Sequence, residues 1–238
     1  MKTQNNYYAL IPARSGSKSI KMKNLKTINK RSLLEIAIDN LKSIKSVNEI
    51  YVSSDSQKIL RIAKEKNVFT ILRPKKISND TSTANQVIKH FLSKFKISKK
   101  NSYLIYMQVT SPLKNYKHLS NAIKKLEKIK SDSLISCYEK DPEQIYKTFM
   151  LDNKNRISPI FSKKIATSNR QNLPRTVMPN GAFYIFKIKK KISPYPINLK
   201  NCYAYLMNEN EVVDINTKKD LNLARKTFKN KSFINAKI

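Results

Sequence analysis

The 238-residue chain is 40% hydrophobic and 27% charged, which supports a buried core and excludes a disordered polyelectrolyte. No apolar run approaches the roughly 18 residues of a membrane span, and Cys137 and Cys202 are too few for a disulfide framework or a cysteine metal knuckle. The net charge of +32 invites a polyanion partner, but 40 of the 48 basic residues are lysines scattered among asparagine and isoleucine, so compositional bias explains the charge without a nucleic-acid surface.

The first residues, MKTQNNYYALIPAR, lack the apolar stretch of a secretion signal and lead to the expectation of a cytoplasmic protein. YYALIPA (7–13) then reads as a strand, followed by the loop within IPARSGSKSIKMKN (11–24). A loop at the carboxyl end of a strand is where open α/β sheets bind ligands. Gly16 between Ser15 and Ser17 is expected to let the backbone turn sharply and expose N–H groups, with Arg14, Lys18, Lys21 and Lys23 adding positive charge. That combination suits a phosphate-rich ligand. The loop is neither GxxxxGK[ST] nor GxGxxG.

Ser32 and Glu35 in SLLE form a capping box for a first helix, with Leu33, Ile36, Ala37, Leu41 and Ile44 as its apolar stripe. NEIYVSS (48–54) is the next strand, and Ile59, Leu60, Ile62 and Ala63 mark a second helix before the strand VFTIL (68–72). In NDTST (79–83), Asp80, Thr81, Ser82 and Thr83 are suited equally to a ligand and to capping the helix that carries Val87, Ile88, Phe91 and Leu92. SYLIYMQ (102–108) is a strand ending in QVTSP, where Pro112 would fix the turn. Leu119, Ala122, Ile123 and Leu126 outline a fourth helix, and SLISC (133–137) a fifth strand. The alternation then breaks down over some forty residues. KTFMLDNKNRISPIF within them reads as a hairpin turning at 152–155, in an insertion suited to a subunit contact or a lid. Late in the chain TKKD (217–220) opens a further helix before Leu221 and Ala224. His90 and His118 have no metal-ligand spacing and read as packing or surface residues.

IPARSGSKSIKMKN, VSSDS, RPKKISNDTST, MQVTSPLKNYKHL, RQNLPRTVMPNGAFYIF and VVDINTKKDL follow one another in an order that resembles the CMP-N-acylneuraminate cytidylyltransferases. The resemblance covers nearly the whole chain, to about Ala224. It implies an α/β fold, a single three-layer Rossmann-like nucleotidyltransferase core over 1–238 with a mostly parallel sheet and a dimerisation insertion at about 139–179. It implies transfer of CMP from CTP to a nonulosonic acid, such as a sialic, legionaminic or pseudaminic acid, with Mg²⁺ or Mn²⁺ as cofactor and a homodimer as the assembly, away from membrane and nucleic acid.

By the same resemblance, Arg14, Ser15, Gly16, Lys23, Asn24, Asp80, Ser82, Thr83 and Asn180 would bind the nucleotide. Gln108, Thr110, Ser111, Lys147, Arg170, Gln171 and Tyr184 would surround the sugar acid, partly across a dimer interface. Arg14, Lys23 and Asp214 would be catalytic. A carboxylate wants an arginine fork or a lysine, which makes the role of Lys147 and Arg170 physically sensible. Gly181 would let backbone approach the ligand closely.

Three positions depart from the resemblance: Ser19 stands for glycine, Met178 for an arginine, and Asn216 for the second aspartate of D-I-D. Asp214 and Asn216, two apart on a presumed strand, would share one face and form a metal perch weaker than two carboxylates. Asn216 therefore keeps open a nucleotide-binding homologue of weakened catalysis, ahead of a polyanion binder.

Overall fold

The computed structural model describes residues 5–17, 19–95, 101–189 and 201–235. β1 (Asn6–Pro12), β4 (Val47–Ser54), β5 (Phe69–Leu72), β6 (Ser102–Met107), β7 (Ser133–Lys140), β10 (Thr176–Lys187) and β11 (Cys202–Leu206) form one sheet in the order β11-β7-β10-β6-β1-β4-β5. β10 runs antiparallel to both β6 and β7, and the other pairings are parallel. Parallel strands buried on both faces read as near-continuous apolar runs, which is why β1, β4 and β6 stand out in the sequence.

Period-two alternation sorts their side chains into two layers. Tyr7, Ala9 and Ile11 of β1 and Tyr103, Ile105 and Met107 of β6 pack against α1 (Leu33–Lys42), α2 (Gln57–Glu65), α4 (Tyr116–Ile129) and α7 (Lys218–Asn235). Leu10, Leu104 and Tyr106 point to the opposite side and meet Val87, Ile88 and Phe91 of α3 (Ala84–Lys94). The result is three layers. Leu41 is wholly buried in the larger of these layers, so truncating it to alanine should cost about 2–5 kcal/mol.

The capping box at α1 is present, with Ser32 Oγ accepting from the Glu35 amide and Glu35 accepting from the Ser32 amide at 2.8 Å. A two-stranded pair, β2 (Thr27–Ile28) and β3 (Arg31–Ser32), precedes it.

Boundaries differ from expectation at the insertion. Its first residues prolong β7 and its last belong to β10, so the part outside the sheet is 141–175. It holds α5 (Pro142–Tyr146), the hairpin β8 (Phe149–Leu151) and β9 (Ile157–Pro159), and α6 (Lys163–Ala166). Asp152 Oδ1 accepts from the amides of Lys154 and Arg156 and closes the expected turn. β10 was hidden because Pro179 and Gly181 look like loop residues; its pairing with β7 shifts register between Pro179 and Tyr184, which accommodates both. The presumed strand at VVDIN is instead an extended loop, residues 212–216, leading into α7.

Candidate active site

The loop after β1 begins at Ala13 and returns through a 3₁₀ turn, Lys23–Leu25, entered by Met22 in a left-handed conformation (φ 53°). With the ends of β5 and β6 and the start of α3 it encloses a cleft of about 300 Å³. Arg14, Gly16, Lys23, Asn24, Ser82, Thr83, Gln108 and Thr110, all expected at the ligand, line it. Arg73, Asn79 and Tyr106 join them without having been expected.

Internal bonds shape the cationic wall. Buried Asn24 donates from Nδ2 to the Arg14 carbonyl at 2.9 Å, holding the loop to its return turn. Ser15 donates its amide and hydroxyl to Asp55 at 2.8 and 2.6 Å. Burial pushes the Asp55 carboxyl up, but these bonds outweigh it and keep the group below its ordinary range. Lys23 Nζ donates to the Ile215 carbonyl at 2.7 Å. Burial pushes that ammonium down and Asp214 opposes the shift.

Gly16 does not need glycine's conformational freedom. Its φ lies outside the left-handed region, and a Cβ built on it would meet nothing within 4 Å. The chain alone does not require glycine there, and among the described residues of the loop the left-handed one is Met22. Lys18 lies outside the described residues.

On the opposite wall Thr83 caps α3, its hydroxyl accepting from the Gln86 amide at 3.3 Å, so capping and cleft lining coincide in one residue. Ser82 Oγ donates to Asn79 Oδ1 at 2.8 Å. Asp80 forms an ion pair with Arg14 at 2.6 Å.

Arg73 is the most informative residue that the sequence reading missed. It is 4% exposed, and its Nε and Nη2 have no hydrogen-bond partner. Leaving two buried donors unpaired is costly unless something enters the cleft to accept from them. Burial lowers the guanidinium pKa, and Tyr106 and Asp55 counter the shift. The available signal was an arginine directly after the strand VFTIL, in a chain whose cations are nearly all lysine.

At the end of β6, Gln108 faces Gly181, which is left-handed (φ +67°); an added Cβ would lie 3.6 Å from Gln108 Oε1. Ser111 is buried with its hydroxyl unpartnered and does not line the cleft. The Thr110 carbonyl accepts from the Ile215 amide at 2.8 Å, which hangs the 212–216 loop from the cleft floor.

In that loop Asn216 Nδ2 donates to Asp214 Oδ2 at 2.9 Å, so the two side chains share one side although no strand presents them. Ser19 Oγ donates to the Asn216 carbonyl. Asp214 Oδ1 is buried without a partner. Among the described residues no cluster of three His, Cys, Asp or Glu could hold a metal. The orphaned carboxylate oxygen does fit a hard cation that takes its other ligands from phosphate and water, and the Asn216 amide, which turns its nitrogen to Asp214, would offer its oxygen only after a flip. Thr217 and Asp220, not Asp214, cap α7.

The remaining expected residues lie elsewhere. Asn180 is buried and spends its amide internally: Oδ1 accepts from Ser136 Oγ at 2.6 Å and from the Ala182 amide at 3.0 Å, and Nδ2 lies 3.1 Å from Met207 Sδ. Its side chain braces β10 against β7 and is not free for a nucleotide. Tyr184 stays outside the lining, its ring 6.4 Å from that of Tyr106. Lys147 pairs with Glu143 at 2.5 Å and Arg170 with Asp141 at 3.2 Å on the insertion; neither they nor Gln171 reach this cleft.

Residues 8–189 match the family model described as cytidylyltransferase. An N-acylneuraminate cytidylyltransferase of Streptococcus agalactiae serotype V is 27% identical over 213 residues, 89% of this chain and 50% of that protein. The chain thus spans about half the length of that relative. A pseudaminic acid cytidylyltransferase of Campylobacter jejuni is 26% identical over 222 residues, 92% of this chain and 95% of that one. Among solved structures, a CMP-2-keto-3-deoxy-manno-octonic acid synthetase complexed with CTP superposes with a TM-score of 0.69 at 12% identity, covering 95% of this chain and all of that one. A 4-diphosphocytidyl-2C-methyl-D-erythritol synthase from Anaerococcus prevotii gives 0.65 at 14% identity, with the same coverage. At such identities the likeness is one of fold.

Proposed function

Because the chain belongs to the cytidylyltransferase family, we propose that it transfers CMP from CTP to a nonulosonic acid and releases pyrophosphate. The observation that carries this reading is the cleft itself: Arg73, whose buried Nε and Nη2 have no hydrogen-bond partner, lines it together with Arg14 and Lys23. Cytosine offers the adjacent acceptors O2 and N3, which match those donors, while the triphosphate takes the two cations.

In this reaction the anomeric hydroxyl of the acid bonds to the α-phosphorus, the bond to the bridging oxygen breaks, and pyrophosphate leaves with that electron pair while the proton passes to solvent. Such transfer depends on position and charge neutralisation more than on covalent help from the protein. Arg14 would leave Asp80 for phosphate, and Lys23 would neutralise charge from beside the 212–216 loop. Gln108 and Thr110 would orient the acid. Asp214 and Asn216 would hold Mg²⁺ or Mn²⁺, which when bound neutralises phosphate charge.

A dimer through the insertion is part of the same proposal. Phe149, Met150, Leu151, Ile157, Ile160 and Phe161 are exposed there, more apolar surface in one short segment than an isolated chain normally shows. Lys147, Arg170 and Gln171 would then serve the acid carboxylate from a neighbouring subunit. No helix among the described residues is long and apolar enough to cross a membrane, and a cytoplasmic enzyme fits substrates of this kind.

Pyrophosphate release tests the reading. It should require CTP, a divalent cation and one of a panel of nonulosonic acids together; absence of release above background with every acid would favour a nucleotide-binding homologue without transfer.

A further inference from the structure

Lys114 is the one lysine among the described residues that is almost wholly buried, at 3% exposure, and nothing in the proposed reaction uses it. Its Nζ donates to two carbonyls, Gln108 at 2.5 Å and Ser111 at 2.7 Å. These carbonyls bracket the turn after β6, the turn that presents Gln108 and Thr110 to the cleft. The Lys114 carbonyl in turn accepts from Asn40 Nδ2 of α1 at 3.1 Å, tying the far end of the turn to the helical layer.

Burying an amine is expensive, so a merely space-filling residue at this place would be leucine or methionine. What a lysine adds is donors for carbonyls that no backbone N–H reaches, since the chain leaves β6 and Pro112 interrupts it with no N–H of its own. Burial pushes the amine down to about 7, with Asp214 opposing the shift, and the neutral amine still carries one N–H for each carbonyl. The same turn also holds the 212–216 loop, because the Thr110 carbonyl accepts from the Ile215 amide at 2.8 Å.

We propose that Lys114 is a positioning residue: its amine staples the Gln108–Ser111 turn and thereby sets the geometry of the acceptor half of the cleft, without touching substrate. The inference rests on the functional reading above. It locates acid specificity in a turn held from beneath, and it separates that half of the cleft from the Arg73 and Arg14 half.

The test compares wild type with Lys114→Met, which keeps the volume and removes the donors, and with Lys114→Gln, which keeps an NH₂ group. CTP affinity is read by calorimetry, thermal midpoint by melting, and acid KM and kcat by pyrophosphate release. The expected result is an acid KM raised about tenfold or more in Lys114→Met, CTP affinity within about twofold of wild type, and partial recovery of the acid KM in Lys114→Gln. A lowered midpoint with unchanged acid KM in both variants, or equal loss of CTP affinity and acid KM, would overturn the proposal. Should Lys114→Met not fold, Lys114→Gln carries the test alone: an acid KM equal to wild type together with a lowered midpoint would overturn it, and a raised acid KM with CTP affinity kept would uphold it. Wild-type protein that releases no pyrophosphate with any acid fails the functional reading first, a result distinct from these.

Discussion

Arg14 Nη1 lies 2.6 Å from Asp80 Oδ1, so the first cation of the loop after β1 is neutralised by the segment leading into α3. Both side chains are more than a third exposed, which makes the pair worth little to stability. For ligand binding it matters more, because phosphate must displace Asp80 from Arg14. Asp80→Asn should tighten CTP binding about three- to tenfold at low salt and leave the thermal midpoint within about 2 °C. Calorimetry at two ionic strengths checks this, and weaker CTP binding would mean that Asp80 itself contacts the nucleotide.

Arg73 supports the opposite balance of stability and binding. Replacing it with methionine removes two unpaired buried donors, so the folded chain should melt no lower than wild type. CTP affinity should fall about 30-fold or more, the loss of about two charge-assisted hydrogen bonds. A large fall in melting temperature with retained CTP affinity would make Arg73 a structural residue.

Gly16→Ala separates what the chain needs from what the ligand needs. With ordinary φ and an open position, alanine should stabilise by about 0.4–1 kcal/mol through the unfolded state. If nucleotide phosphate comes close to this backbone, CTP affinity should nevertheless drop several-fold. Unchanged affinity would show that the loop grips its ligand without help from a bare backbone.

The pH dependence of stability follows from Lys114. Below pH about 7 both folded and unfolded chains carry the ammonium, the folded one at a desolvation cost. Above it the folded amine is neutral while the unfolded lysine keeps its proton to about 10.4, so the unfolded state binds more protons and stability rises with pH across that window. Lys114→Met lacks this contribution. Between pH 6 and 9.5 the melting temperature of wild type should therefore gain about 3 °C or more on the variant; parallel curves would contradict a depressed amine.

The sheet was legible where strands are buried on both faces, as in ALI of β1 and YLIYM of β6, because such strands are apolar at every position. β10 escaped because Pro179 and Gly181 are turn residues used here at a register shift. The cationic loop was legible through its charge, whereas the conformation of its glycine was not, since only coordinates reveal φ. Arg73 and Lys114 escaped for a common reason: in a chain with 48 basic residues, burial marks these two out and composition does not. Asn180 was placed at the nucleotide by its motif, and its amide is consumed by Ser136 and Ala182.

Asn216 would weaken a divalent-cation site on the 212–216 loop. An amide beside Asp214 binds a divalent cation more weakly than a second carboxylate, so Asn216→Asp should lower the Mg²⁺ concentration for half-maximal activity about tenfold. An unchanged Mg²⁺ titration would remove the 212–216 loop from the metal site.

The most direct test follows the phosphorus. With CTP labelled at the α-phosphate, Mg²⁺ and a panel of nonulosonic acids, label should move to one acid as its CMP conjugate, with one pyrophosphate released for each conjugate formed. Label that remains in CTP with every acid, or pyrophosphate that forms equally without acid, would contradict cytidylyl transfer.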